Sequence, residues 1–477
     1  MVQDYKVFIN GNWIQTDDKI DVVNKYTQQT YVKIAKAGEK EVDEATEAAQ
    51  SAFKDKQMPP YKRYQILKRV SELLQENKDT LAENLSIEAG KPLKQARTEV
   101  DRATQTFELS AEEAKRIHGE GVPVDAAPGS ENRMAYTLKV PVGVIGAITP
   151  FNFPINLVAH KIAPAIAAGN AVVLKPASKT PVSALKLAEL FQEAGLPDGF
   201  LNVIVGSGSE VGQQMMEDKR INAYTFTGSA EIGLKLKQNT GLNKLILELG
   251  NNSPVIVDKE ADIDKAADNI AQKSFAFAGQ VCISVQRIYV HEDVKDEFQE
   301  KLVHAVKGLK VGDPMDPETD VGPMISEEEA ERAEEWVNEA VHHGAEVIEG
   351  AKREGALLHP TLLTNVEKNM KVVCEEVFAP VATIIPFSDL KNCIDELNES
   401  RYGLQGGIFT KNLETAFYAA RHVEVGGLMI NDSSQYRVDL MPYGGVKNSG
   451  WGKEGPKYVI EDLTEERLVV FNLDSEK

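Results

Sequence analysis

Three segments carry polar side chains where packing alone does not call for them. In Phe275-Ala276-Phe277-Ala278-Gly279-Gln280-Val281-Cys282-Ile283-Ser284 a thiol follows a small Ala-Gly pair, which permits close approach, and sits among apolar residues. In Leu245-Ile246-Leu247-Glu248-Leu249-Gly250-Asn251-Asn252-Ser253-Pro254 a carboxylate interrupts an aliphatic strand pattern just before a turn. Such a carboxylate is costly to bury unless it is paired or has chemistry to do. In Ile148-Thr149-Pro150-Phe151-Asn152-Phe153-Pro154 an amide lies between two prolines and two aromatics, a setting that makes it a pre-oriented hydrogen-bond donor. Taken together, Cys282, Glu248 and Asn152 read as nucleophile, base and oxyanion donor. Taken alone, a cysteine in an apolar run fits a packing role at least as well.

Composition narrows the partners. The chain has 477 residues, 42% hydrophobic and 26% charged, the proportions of a globular protein of two or three domains. A net charge of −20 argues against binding nucleic acid or an anionic membrane surface. Three cysteines make no disulfide framework, and no His/Cys cluster has metal-ligand spacing, so no metal is expected. The N-terminus lacks the apolar core of a signal peptide, and the longest apolar stretch is too short and too broken to span a bilayer. A cytoplasmic location is the resulting expectation.

These residues need elements to position them. Residues 8–20 read as a hairpin turning at Asn10-Gly11-Asn12. From 39 to 107 apolar positions recur at helical spacing. Residues 121–141 form an extended arm whose polar middle, Pro128-Gly129-Ser130-Glu131-Asn132, separates two strand-like pieces. Strands at 142–148, 171–175, 202–205, 223–227 and 244–248 then alternate with helices at 157–168, 182–194, 210–217 and 231–238, the pattern of a doubly wound parallel sheet. A second α/β series runs to about residue 426 and includes a Glu- and Ala-rich helix at 327–343. Residues 467–473 read as a strand. It and the arm leave unpaired edges that need a partner.

Three features suggest a ligand edge. The turn Gly206-Ser207-Gly208-Ser209-Glu210-Val211-Gly212 has one residue too many for G-x-G-x-x-G and equally fits a plain strand-to-helix turn. Ser229, after Phe226-Thr227-Gly228, opens a helix whose N-terminus suits either a phosphate or a simple cap. Lys175 ends a parallel strand on the edge where open α/β sheets bind ligands, although a surface lysine would look the same.

Further segments extend the pattern: Leu174-Lys175-Pro176-Ala177-Ser178, Glu375-Glu376-Val377-Phe378-Ala379-Pro380 and Pro442-Tyr443-Gly444-Gly445-Val446-Lys447-Asn448-Ser449-Gly450. In their order and spacing, over nearly the whole chain, they resemble the aldehyde dehydrogenase superfamily, NAD(P)-dependent enzymes that oxidise aldehydes to acids through a thioester. The resemblance implies an α/β fold of two doubly wound domains and a small β oligomerisation arm. Residues 1–120 and 142–248 would bind NAD(P), 249–426 would form the catalytic domain, and 121–141 with 457–477 would build the arm of a homodimer or homotetramer. Residues 427–456 would return to the active-site and cofactor region.

The resemblance also assigns roles. Cys282 attacks the aldehyde, Asn152 and the Cys282 N–H hold the oxyanion, and Glu248 activates the hydrolytic water. Lys161 either supports that network or packs. Thr149, Pro150, Lys175, Ser178, Gly206, Gly212, Gly228 and Ser229 would line the cofactor. Lys175 would reach the adenosine ribose, and Gly228 with Ser229 the pyrophosphate. Glu376 and Phe378 would hold the nicotinamide ribose and ring, with Ala379 in place of a frequent Gly. Ser178 stands where many NAD-preferring relatives carry Glu, and Lys179 follows it. That favours NADP, or use of both NADP and NAD.

The aldehyde pocket would be lined by Leu157, His160, Val281, Ile283, Tyr436, Arg437, Met441 and Tyr443. Relatives that take plain aldehydes usually have large apolar residues in place of His160 and Arg437. Succinate-semialdehyde dehydrogenases commonly have Arg in place of His160. Non-phosphorylating glyceraldehyde-3-phosphate dehydrogenases share Asn156-Leu157 and Lys161-Ile162-Ala163-Pro164, but typically have Arg where this chain has Val281. Lactaldehyde-type dehydrogenases are another close resemblance. Phe277 departs from the Asn common at its position. The expectation is a small polar aldehyde, 2-hydroxy or anionic, with Arg437 either reading the anion or standing free on its loop. Succinate semialdehyde or a plain aliphatic aldehyde is the alternative. Intact Glu248 weighs against a CoA-acylating relative, and the intact trio weighs against a non-catalytic scaffold.

Overall fold

The computed structural model describes residues 3–473. Residues 1, 2 and 474–477, at the ends of the domain ranges given above, lie outside them.

Five short aliphatic runs pair in parallel, in the spatial order Lys244–Glu248, Ala223–Thr227, Val144–Ile148, Ala171–Lys175, Leu201–Val203. Nearly every residue in them is buried, as expected for a sheet with both faces covered. The strand order reverses at Val144–Ile148. The carboxyl ends of that strand and of Ala223–Thr227 therefore flank a topological switch point, where such sheets bind ligands. Gly450–Trp451 and Val7–Ile9 add antiparallel edges.

Several expected boundaries move. The central strand begins at Val144, not 142, because Gly143 takes φ +133° and the Val142 N–H turns to the Leu463 carbonyl. The helix expected at 210–217 opens as a wide π turn, Gly208–Gly212, before Gln213–Glu217. The first hairpin closes at Ile14, with its turn at left-handed Asn10 and Gly11. Lys19–Val23 instead joins Gln3–Tyr5 and Thr30–Ala35 in a separate sheet.

A seven-stranded sheet follows Glu248, in the order Glu346–Glu349, Thr361–Thr364, Val381–Phe387, Val285–His291, Ser253–Val257, Gln405–Phe409, Gly427–Ile430. The terminal strand is longer than its pattern suggests. Thr464–Asn472 pairs antiparallel with Arg133–Pro141, which also pairs with Gly121–Val122. Leu468, Val470 and Phe471 are exposed on this three-stranded arm.

One large apolar cluster underlies the first sheet and two underlie the second. Between them Ala89, Phe277, Val281, Ile283, Leu404 and Tyr443 form a small cluster against which Phe153 and Cys282 pack. Among the described residues no helix is long and apolar enough to cross a membrane, and no group of three His, Cys, Asp or Glu residues could hold a metal.

Candidate active site

The helix Ile263–Phe275 stops short of the thiol, and the chain passes through three left-handed residues, Phe277 (φ 48°), Ala278 (52°) and Gly279 (68°). For non-glycine residues this costs of order 1–3 kcal/mol each and persists only where the surroundings enforce it. Here the Phe277 N–H donates to Gln95 Oε1 (2.8 Å), and the Ile325 N–H donates to Gln280 Oε1 (2.9 Å). A Cβ on Gly279 would lie 2.1 Å from the Ala379 carbonyl oxygen, so this position needs glycine on both counts. Burial, and then the carboxylates Glu376, Glu248 and Glu454, push the Cys282 thiol up. The resting group is a thiol, and a base must take its proton.

Glu248 ends its strand buried, and neither carboxylate oxygen has a hydrogen-bond partner. Burial, and then the charge of Glu454, hold its carboxyl well above the usual range. Glu454 goes the other way. Against its own burial, Lys161 (Nζ–Oε1 3.1 Å) and Arg437 (Nη2–Oε2 2.9 Å) hold it well below that range. Lys161 thus joins the carboxylate network and does not merely pack. Neighbouring acids with divergent affinities for a proton are the arrangement that acid–base chemistry uses.

Asn152 lies in the turn after Val144–Ile148 and is buried. Its Nδ2 donates to the Gln280 carbonyl (2.9 Å), which aims the amide at the cysteine loop and leaves its second N–H for a ligand oxygen.

The strand ends beside this centre carry unmet polar groups. Thr149 Oγ1 and Thr227 Oγ1 are buried and unpartnered. Lys175 is buried, with a single 3.4 Å contact to the Pro176 carbonyl, and burial lowers it to about 8. Ser178 Oγ donates to the Gly206 carbonyl (3.2 Å), and Gly212 lies against the Lys175 side chain. Ser229 caps the helix Ala230–Asn239 behind Gly228. Pro150 joins Thr149 to Phe151, whose ring meets left-handed Phe378 edge-on at 5.8 Å. Glu376 Oε1 accepts the Asn251 N–H (2.9 Å), and burial raises Glu376 to about 7. An extended polar ligand with ribose hydroxyls and phosphates meets these needs, so the edge fits a dinucleotide.

A cavity of about 850 Å³ opens on the other side of the cysteine loop, with Phe153, Phe277, Val281, Ile283 and Tyr436 in its wall. Arg437 lines it too. Only 7% of that side chain is exposed, which removes the alternative of an arginine free on its loop. Leu157, His160 and Tyr443 are buried and do not line this cavity. Tyr443 lies under the Arg437 guanidinium, 3.6 Å from ring centroid to Cζ, and His160 contacts Arg437 and Asp439.

Sequence reasoning missed Arg102. It stands on the helix Leu93–Ala114 with Gln95, Thr98 and Glu99, one face at helical spacing that lines the cavity. Its Nη2 is buried without a hydrogen-bond partner, 3.8 Å from Asp439 Oδ1. Burial, and then the charge of Arg437, lower its proton affinity. Asp439 carries negative charge beside both guanidiniums and Glu454 pairs with Arg437, so the group left open to a ligand anion is the unpartnered Nη2 of Arg102. The polar face was the available signal, but such a face usually meets solvent.

Fold and site together define a nucleotide-dependent oxidoreductase that works through a cysteine. The chain belongs to the aldehyde dehydrogenase family, whose sequence profile matches residues 13–469. It is 55% identical over 472 residues to a 3-sulfolactaldehyde dehydrogenase of Priestia aryabhattai, covering 99% of each chain. It is 42% identical to a lactaldehyde dehydrogenase of Methanocaldococcus jannaschii, over 98% of this chain and 100% of the other. The structure of a glyceraldehyde-3-phosphate dehydrogenase from that archaeon, complexed with NADP, superposes with a TM-score of 0.92 at 42% identity, covering 96% of this chain and 100% of that one. The protein is an aldehyde dehydrogenase that uses NAD(P).

Proposed function

We propose that this enzyme oxidises a three-carbon 2-hydroxyaldehyde with an anionic group at C3, of the 3-sulfolactaldehyde type, to its carboxylic acid. The observation that carries this reading is the pair Arg102 and Arg437 in the wall of the cavity beside Cys282. Two of the relatives support it, since they are named for a sulfonated and a phosphorylated 2-hydroxyaldehyde, and the third is named for neutral lactaldehyde. Lactaldehyde is the second reading, favoured by the apolar wall of Phe153, Val281 and Ile283.

In the reaction, Glu248 takes the proton of the Cys282 thiol and releases it to solvent water before deacylation, and the thiolate attacks the aldehyde carbon. The free N–H of Asn152 and the Cys282 backbone N–H stabilise the oxyanion. The bound nicotinamide supplies the hydride acceptor. Glu248, whose carboxyl burial and the Glu454 charge hold well above the usual range, then takes a proton from the water that hydrolyses the thioester. Thr149, Pro150, Gly206 and Gly212 line the cofactor, Lys175 reaches the adenosine ribose with Ser178 beside it, Gly228 and Ser229 meet the pyrophosphate, and Glu376 and Phe378 hold the nicotinamide ribose and ring. Ser178 beside Lys179 leaves room and charge for a 2′-phosphate, so NADP is preferred or shared with NAD.

The cofactor domain is assigned to residues 1–120 with 142–248 and the catalytic domain to 249–430, extended past 426 because strand Gly427–Ile430 pairs in the second sheet. The arm of 121–141 with the C-terminal strand presents its exposed apolar edge to a second subunit in a homodimer or homotetramer. Acid charge and sparse cysteines suit the cytoplasm. A panel of anionic and neutral aldehydes, read at the nicotinamide band with each cofactor, tests the whole reading. No turnover of any 2-hydroxyaldehyde would refute it.

A further inference from the structure

Lys91 and Glu99 are buried charges that the mechanism above leaves unused. Each side chain is 1% exposed, and they form an ion pair with one another. Burying such a pair is a poor source of stability, since apolar residues of like volume often serve as well. Its other contacts all go to the two catalytic loops. Lys91 Nζ donates to the backbone carbonyl of Asn152 (2.8 Å) and lies over the rings of Phe153 (3.8 Å) and Phe277 (4.6 Å), one from each loop. Glu99 Oε1 accepts the N–H groups of Ile155 (2.9 Å) and Asn156 (3.2 Å), where the Asn152 loop enters its helix. One turn before Glu99, Gln95 accepts the Phe277 N–H at the head of the cysteine loop.

We infer that Lys91 and Glu99 are positioning residues for the oxyanion amide: they fix the Asn152 loop against the cysteine loop and so set the direction of the free Asn152 N–H. The inference rests on the reading of Asn152 as the oxyanion donor. The Asn152 backbone is held from one side by Lys91, and its side chain is held from the other by the Gln280 carbonyl. With both anchors in place the peptide plane and the amide cannot rotate independently. Misplacement by an ångström is enough to lose roughly 10²-fold in rate.

The test is a double-mutant cycle in the full-length enzyme. Asn152→Ala should lower the rate of the first hydride-transfer burst by about 10²–10³-fold. Lys91→Met should lower it by roughly 10- to 100-fold. Nicotinamide-cofactor affinity, read by fluorescence without aldehyde, and alkylation of Cys282 by iodoacetamide, which needs no oxyanion donor, should stay within about threefold of wild type. In the Asn152→Ala background, Lys91→Met should cost less than about threefold more. Full additivity of the two losses, or a parallel fall in alkylation and cofactor affinity, would overturn the positioning role. Full activity of Asn152→Ala would instead overturn the reading of Asn152 itself. If Lys91→Met does not fold, Lys91→Met with Glu99→Gln removes both buried charges, and the same cycle applies.

Discussion

Nη2 of Arg437 lies 3.1 Å from Nε2 of His160 and 2.9 Å from Glu454 Oε2. The same Nε2 lies 3.2 Å from Asp439 Oδ1, so it accepts from Arg437 in one tautomer and donates to Asp439 in the other. Burial and the Arg437 charge hold His160 neutral, which suits either role. His160, expected from sequence in the pocket wall, instead lies behind it and contacts the Arg437 cation that lines the cavity. Arg437 keeps its charge at any working pH because, against its own burial, Glu454, Tyr443 and Asp439 raise it further.

Arg102→Leu and Arg437→Leu should each cost about 2–5 kcal/mol of transition-state binding for an anionic aldehyde, the range for breaking a buried charge pair. A neutral aldehyde of like length should lose little with Arg102→Leu. With Arg437→Leu the neutral substrate should also suffer, because Glu454 loses a partner. Steady-state kcat/KM for both substrates on the same preparations checks this. Equal losses for both substrates in Arg102→Leu would exclude Arg102 as an anion contact.

Cys282→Ala should abolish oxidation while cofactor affinity stays near wild type, since only the covalent step is removed. Turnover above a few per cent of wild type would contradict the assignment.

Glu248→Gln is isosteric but cannot accept a proton from water. Because Glu248 serves both the thiol and the water, stopped-flow traces should show a slowed burst of reduced cofactor followed by still slower steady-state turnover. Unchanged steady-state turnover would exclude the role.

How much of this was legible in the sequence follows from how local each cause is. The parallel strands and the residues Cys282, Glu248 and Asn152 stand out because aliphatic runs, turns and out-of-place polar groups are local features. Arg102, Lys91, Glu99 and Glu454 do not stand out. Each is a charged residue in an ordinary polar context, and only the tertiary fold buries Lys91, Glu99 and Glu454 and the Nη2 atom of Arg102. The left-handed backbone at Phe277 and Ala278 was equally hidden, because neither residue type favours it.

Ser178→Glu should move the ratio of catalytic efficiencies from NADP towards NAD, by repelling the 2′-phosphate and accepting a bond from the 2′-hydroxyl. An unchanged ratio would place Ser178 away from the ribose.

Glu88 gives a pH prediction. It is buried beneath the loop that carries Ser178, accepts the N–H groups of Val182 and Ser183 (both 2.9 Å), and is raised to about 7 by burial. An acid with a raised folded pKa favours the folded state fully below its unfolded value, and that contribution is lost as pH rises through 7. Relative to Glu88→Gln, wild-type stability should therefore fall by about 2–3 kcal/mol between pH 4 and 8. Urea unfolding of both proteins across that window checks the sign, and parallel curves would refute it.

The central claim is that the cavity beside Cys282 selects an anionic 2-hydroxyaldehyde. The most direct measurement is the ratio of kcat/KM for 3-sulfolactaldehyde to that for lactaldehyde, taken on one wild-type preparation with saturating NADP or NAD. The two substrates differ only in the sulfonate, so the ratio reads how the cavity that Arg102 and Arg437 line treats an anion. The expected ratio is about 30 or more, the equivalent of roughly 2 kcal/mol from a desolvated charge contact. A ratio near or below one would contradict it and make the enzyme a neutral lactaldehyde dehydrogenase.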